Sequence, residues 1–252
     1  MPGDDEVIVG VHAVAEALAA GERVRKIIIA SHRQHDKALA EIVAAAKRNK
    51  IEIAIEDERW FARFQNARHQ HVAALLPAFR YADWRATRDA LRKNESALVL
   101  ALDHIEDPHN LGALVRNAEC AGAQAVVIPE RRGAGVTAAA RRAAAGAASH
   151  LPIARVPNLV RALEDLKEDG HWVVGLATLP TAVPYTLADY LGKCTLVVGS
   201  EGKGLSRLVA ERCDRLVRIP VLGRVASLNA ASAGAVVLYE VVRQRSKTAA
   251  TT

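Results

Sequence analysis

Two stretches near the C-terminus decide the fold: Leu196–Ser206, LVVGSEGKGLS, and Arg218–Glu240, RIPVLGRVASLNAASAGAVVLYE. In each, an apolar run breaks at a glycine. The second then continues into a long segment with helical apolar spacing. The pattern predicts two strands, Thr195–Val198 and Leu216–Leu222, each delivering a loop into a helix. Glycine admits positive φ and lets backbone N–H groups approach a ligand closely. Such loops fit a nucleotide-like small molecule, and they also fit an ordinary strand-to-helix turn.

Working outward, the same alternation fills the chain from Ala97 onward. Strands are predicted at Ala97–Leu102, Ala125–Ile128, Ile153–Val156 and Trp172–Ala177, separated by helices at Leu111–Ala121, Val136–Ala148 and Leu159–Lys167. Strands separated by helices need crossover connections, which implies a largely parallel sheet covered on both faces. Ligands of such sheets sit beyond the carboxyl ends of the strands.

Upstream, Val7–Pro77 reads as a second, smaller α/β domain. It has helices at Val11–Ala20 and His35–Lys50, and strands at Lys26–Ala30, Ile51–Glu56 and His71–Leu76. Asp57 is placed to cap a short helix, Glu58–Phe64. Residues 78–96 are rich in Arg and poor in large apolar side chains, which reads as a linker with a helical turn or two. The expected organisation is an auxiliary domain over 1–77, a linker over 78–96 and a main α/β domain over 97–252.

Composition excludes several classes. The chain has 252 residues, half of them hydrophobic, and 34 Lys+Arg against 28 Asp+Glu give a net charge of +6, a mild sign of a polyanionic partner. Cys120, Cys194 and Cys213 are far apart and form no CxxC pair, which argues against a zinc site or a disulfide framework and fits a reducing cytoplasm. The acidic start, MPGDDEV, is unlike a signal peptide, and no apolar run approaches the ~20 residues of a membrane span. The expectation is a soluble, unexported protein with no membrane partner.

Three loops fall at the strands' carboxyl ends. The first, Asp103–Arg116, is DHIEDPHNLGALVR. Pro108 and Gly112 shape a turn into a helix, and Asn110 and Arg116 could point toward one pocket. Burying Arg116 unpaired would be costly, so snorkelling to solvent is an equal alternative. His104 and His109 fit no common metal-ligand spacing and read as ordinary polar residues. The second loop, Gly199–Gly204, runs GxxGxG. It is neither a Walker A, because Gly204 follows Lys203, nor the dinucleotide GxGxxG, which removes the case for an oxidoreductase. Nor is Ser200 a nucleophile elbow, since Val198 stands where glycine is required. Glu201 is this loop's only acid. The third loop, Gly223–Asn229, brings Ser227 and Asn229 to the start of the last helix, where they either cap it or bind a ligand.

Taken together, DPHNLGALVRNAECAG, LVVGSEGKGLS and RIPVLGRVASLNAASAGAVVLYE resemble the three signature motifs of the SpoU family of RNA ribose 2′-O-methyltransferases, in the same order and with similar separations. GVHAVAEAL, RKIIIA and HQHVAALL resemble the auxiliary domain of the bacterial branch that methylates a guanosine of large-subunit ribosomal RNA. Two departures are a histidine, His71, where that branch has glycine, and Ala230 and Ala231 where it has valines.

The resemblance implies a SPOUT-type catalytic domain whose C-terminal stretch forms a trefoil knot, and a small N-terminal domain like ribosomal protein L30e. It implies S-adenosylmethionine as the methyl donor, contacted by Gly199, Ile219 and Leu228, and no metal. Asn110, Arg116, Glu201, Ser227 and Asn229 match the family's active-site positions. Family members are homodimers with active sites at the interface, and the face formed by Leu228, Ala231, Ala235, Leu238 and Val242 would bury the last helix. The implied reaction is 2′-O-methylation of 23S ribosomal RNA in the peptidyl-transferase region. The alternatives are transfer RNA as substrate, or a non-catalytic RNA-binding ribosome-assembly factor.

Overall fold

The computed structural model describes residues 5–19, 21–34, 36–64, 69–225 and 227–249, and divides the chain into two compact units, 1–80 and 81–252. In the first unit, strands β1 (Asp5–Val9), β2 (Lys26–Ala30), β3 (Glu52–Glu56) and β4 (Val72–Pro77) form a sheet of order β1-β4-β2-β3, in which only β2 and β3 run parallel. Helices α1 (Val11–Ala19), α2 (Ala40–Arg48) and α3 (Glu58–Phe61) accompany it. Ile27, Ile29, Leu39, Phe61 and Leu76 are fully buried there, and Asp57 caps α3 by accepting the Arg59 amide. The strand β1 is absent from the sequence reading, because its three apolar residues follow acids that dominate the local composition. Ala20 and His35, which bound two of the predicted helices, lie outside the described residues.

The second unit is built on seven strands: β5 (Leu98–Asp103), β6 (Ala125–Pro129), β7 (Ile153–Val156), β8 (Trp172–Leu176), β9 (Val183–Pro184), β10 (Cys194–Gly199) and β11 (Arg215–Arg218). Their order is β7-β6-β5-β10-β8-β11-β9, and every pairing is parallel. The helices are α4 (Trp84–Arg92), α5 (Pro108–Cys120), α6 (Ala138–Ala144), α7 (Leu159–Glu168), α8 (Arg207–Arg212) and α9 (Ala230–Ala249). Val99, Ala101, Val127 and Val197 pack with Leu163 and Leu166 of α7 and Val209 of α8. Side chains alternate along a strand, so Leu98, Leu100 and Leu102 face the other layer, where α5 packs on α6 and α9. No helix among the described residues is long and apolar enough to cross a membrane.

Several sequence expectations need correction. Residues 84–92 are no loose linker: Asp83 caps α4, and Arg88 binds Asp169 through Nε at 2.5 Å while its Nη1 lies 3.2 Å from Asp165. The helix is fastened to α7 by ion pairs, which apolar periodicity does not register. Gly112 lies inside α5 rather than in a turn; a Cβ there would stand 2.2 Å from the Ala140 carbonyl oxygen, so glycine lets α5 and α6 touch. The helix predicted over Val136–Ala148 ends at Ala144, because Ala145 and Gly146 adopt φ of 48° and 93°. The strand predicted to reach Leu222 stops at Arg218, and Leu222 is 97% exposed. On α9 the buried stripe is Ala230, Ala231, Gly234, Val237, Leu238 and Val241. Leu228 is exposed, and Ala235 and Val242 are only half-buried. Gly234 sets that phase: a Cβ on it would lie 2.5 Å from Leu114 Cδ2. The short α8 and β9 carry too few apolar residues to be seen in the sequence.

Candidate active site

The central strand β10 is buried throughout, between β5 and β8, and ends at Gly199. The loop after it is tight. Ser200 N–H donates to the Gly204 carbonyl at 3.1 Å and Gly204 N–H donates back to Ser200 at 2.9 Å, with Gly202 and Gly204 at φ of 81° and 66°. Beside it, β5 ends in Asp103 and the chain turns into α5, capped by the Asp107 carboxylate, which accepts the His109 amide at 3.0 Å. On the other side, residues 219–225 and 227–229 have no regular structure and lead to α9, whose first turn donates the Ala231 and Ser232 amides to Asn229 Oδ1 at 2.9 and 3.2 Å.

These three chain segments meet at Glu201. Its Oε1 accepts Asn110 Nδ2 at 3.0 Å and the Ala230 amide at 3.3 Å, and it also accepts Asn229 Nδ2, which reaches Asn110 Oδ1 at 2.8 Å. One carboxylate therefore ties the loops after β5, β10 and β11 together. Asn229 therefore both caps α9 and joins the cluster.

A cleft of about 210 Å³ opens on one side of the glycine loop. Its walls include Gly199, Ile219, Ser227 and Leu228, with Leu176 and Val217 contributing apolar surface from the ends of β8 and β11. Largely apolar walls beside a glycine loop match the needs of an adenine-bearing ligand. The described residues contain no cluster of metal-ligating side chains. A second cavity, of about 590 Å³, lies on the other side of the same loop; its lining includes His104, Asn110, Arg132, Glu201 and Lys203. Ser200, Glu201 and Gly204 border both.

Arg116 stands apart from this cluster. It is exposed on α5 and lines neither cavity. Of the expected site residues, then, Asn110, Glu201 and Asn229 are hydrogen-bonded to one another, Gly199, Ile219, Leu228 and Ser227 line the cleft, and Arg116 faces solvent. The sequence reading passed over Asp103. It is 1% exposed, and its Oδ2 accepts the Ser206 amide at 2.6 Å while its Oδ1 lies 2.5 Å from His104 Nδ1. The available signal was a lone acid at the end of an apolar strand, ALVLALD. Cys194 and Cys213 offer no ready nucleophile, since burial pushes both thiols up to about 12.

Comparison with known proteins gives the same picture over nearly the whole chain. Residues 97–239 match the family model of the SpoU rRNA Methylase family, and residues 7–82 match that of RNA 2′-O ribose methyltransferase substrate binding. A putative TrmH family tRNA/rRNA methyltransferase of Staphylococcus aureus is 40% identical over 243 residues, covering 96% of this chain and 97% of the relative. An uncharacterised tRNA/rRNA methyltransferase of Synechocystis is 42% identical, over 95% of this chain and 63% of its own length. Among solved structures, the AdoMet-bound rRNA methyltransferase of Sinorhizobium meliloti is 27% identical with a TM-score of 0.63, covering 96% of this chain and 88% of that one. The parallel sheet, the loops gathered at its carboxyl ends and these matches agree: the chain belongs to the SpoU methyltransferase family.

Proposed function

We propose that this protein transfers the methyl group of S-adenosylmethionine to a ribose 2′-hydroxyl of RNA, its target being a guanosine of 23S ribosomal RNA in the peptidyl-transferase region. The observation that carries the reading is the Glu201 junction, which assembles three loops around the cleft lined by Gly199, Ile219 and Leu228. In this reading those three residues hold the donor, largely through backbone atoms, as in a family with an AdoMet-bound member from Sinorhizobium meliloti. Asn110, Ser227 and Asn229 orient the ribose and its phosphate, and Glu201 fixes the loops.

Arg116 serves as a charged hydrogen-bond donor to the developing alkoxide, because guanidinium resists deprotonation and is a poor base. Its exposure supports a homodimer in which Arg116 of one copy serves the site of the other. Helix α5, which carries it, packs on α9, whose Val236 and Tyr239 are exposed. A trefoil knot is part of the same reading, supported by β10 lying between β5 and β8 and by α9 returning against α5 and β10. The first unit, built like ribosomal protein L30e, selects the RNA, and the match of residues 7–82 to a substrate-binding model supports that role. In this reading the protein works in the cytoplasm, and its free cysteines support that setting.

Transfer RNA is the second reading. It is favoured by the TrmH/SpoU tRNA modifying enzyme of Aquifex aeolicus, 28% identical with a TM-score of 0.57 over 66% of this chain and 84% of that one. Mapping ribose methylation in RNA from a strain lacking the gene tests both. Loss of one 2′-O-methylguanosine in 23S RNA is expected, loss from a transfer RNA would move the target, and unchanged methylation in all RNA would overturn the enzymatic reading in favour of a non-catalytic assembly factor.

A further inference from the structure

A ribose hydroxyl must lose its proton as it attacks a sulfonium methyl, and Arg116 cannot take that proton. The acceptor should face the space beside the glycine loop, on the side away from the donor cleft. The lining of the cavity there includes six titratable side chains: His104, Glu106, Asp107, Arg132, Glu201 and Lys203. Arg132 and Lys203 are cations with no lone pair to offer. Asp107 caps α5, and Glu201 Oε1 already takes three donors. Glu106 is exposed.

His104 differs from all of these. It follows directly on β5, and its Nδ1 lies 2.5 Å from Oδ1 of Asp103, whose side chain is only 2% exposed. The other Asp103 oxygen accepts the Ser206 amide, which locks the carboxylate between the ends of two loops. Facing such an acceptor, the neutral ring keeps its proton on Nδ1 and its lone pair on Nε2. A base oriented by a buried acid in this way is a recurrent arrangement for proton abstraction. The backbone supplies an independent sign: His104 has φ of 58°, a left-handed conformation unfavourable for a residue with a β-carbon. Such strain collects at functional sites.

We propose that His104, oriented by Asp103, is the base that receives the proton of the RNA 2′-hydroxyl; this rests on the methyltransferase reading above. The O–H bond breaks with its proton passing to Nε2, and the oxygen forms a bond to the methyl carbon. The C–S bond breaks with its electron pair returning to sulfur, leaving a neutral thioether and an imidazolium facing Asp103. The imidazolium then returns its proton to water.

The test is His104→Gly in the full-length protein, a change the left-handed backbone accepts without strain. Donor affinity by calorimetry and RNA affinity should stay within about twofold, while the single-turnover rate falls about 100-fold or more. Added imidazole should restore part of the variant's rate. An unchanged rate in the variant overturns the role, as does a rate loss matched by lost RNA affinity that added imidazole does not relieve. Absence of methyl transfer by the wild-type protein would instead overturn the methyltransferase reading on which the proposal rests.

Discussion

Gly199 and Gly204 are packed backbone to backbone: a Cβ on Gly199 would lie 2.2 Å from the carbonyl carbon of Gly204 and 2.3 Å from its oxygen. Neither atom belongs to a flexible side chain, so any larger residue must push the loop out of the cleft wall. Gly199→Ala should weaken S-adenosylmethionine binding about 10- to 100-fold, matching the ~1–3 kcal/mol typical of overpacking. Gly199→Val should weaken it further. Calorimetry on the folded variants decides this, and wild-type affinity would remove the cleft as the donor site.

Arg116 is predicted to act on the rate and not on donor binding. Arg116→Lys keeps the charge and loses the planar fork, and Arg116→Ala loses both. Each should lower turnover with little change in donor affinity, the alanine variant more severely, because the interaction strengthens only in the transition state. Complementation should show the dimer: mixing Arg116→Ala with a variant lacking Glu201 should restore part of the activity if one copy's arginine serves the other's site. No recovery in verified heterodimers would place Arg116 in its own chain's site or outside catalysis.

Arg88 holds α4 to α7 through Asp169, Asp165 and Glu168. Burial works to raise the Asp169 carboxyl, and the hydrogen bonds from Arg88 and Arg92 overcome it, holding the group below the ordinary carboxylate range. A depressed acid contributes stability above its unfolded pKa and loses it as pH falls through the folded value, so this clasp should release only below about pH 4. Arg88→Ala should cost about 3 kcal/mol by denaturant unfolding. A shortened chain beginning at Tyr81 should therefore be more stable than one beginning at Ser96, which discards α4. Equal midpoints for the two would contradict the clasp.

His171 is 4% exposed, with Nδ1 3.0 Å from the Thr195 hydroxyl on the central strand. Burial lowers its pKa to about 4. Between that value and the ordinary ~6.5, the unfolded chain binds a proton the folded one refuses, so stability rises with pH across this window and is complete above it. The size of the depression corresponds to roughly 3 kcal/mol lost between pH 7 and pH 4. Denaturant midpoints should fall over that range, and His171→Gln should flatten the fall. An identical slope in the variant would assign the effect elsewhere.

The parallel sheet was legible because its strands are apolar on both faces and are punctuated by glycine and capping residues. Ile153–Val156 and Lys26–Ala30 match the observed strands residue for residue. Elements held by charge were not legible in this way: α4 looks like a linker until Arg88 is seen against Asp165 and Asp169. Nor does periodicity reveal a glycine that serves a neighbouring helix, such as Gly112 or Gly234. At the site, motif resemblance pointed to Asn110, Glu201 and Asn229, which the fold then brings into one hydrogen-bonded cluster. It passed over Asp103 and His104: the two are chain neighbours, and what fixes the carboxylate is the Ser206 amide of the loop after β10. Sequence spacing does not encode that cross-loop contact.

The irregular segment after β11 leaves Val221, Leu222, Val225 and Leu228 in water, at the edge of a cleft that Val221 and Leu228 also line. A ligand that covers these side chains removes apolar surface from solvent, and the calorimetric mark of that burial is a negative change in heat capacity. Temperature then becomes a control on occupancy. As the solution cools, the hydrophobic part of the attraction weakens, and the segment returns toward its solvated state.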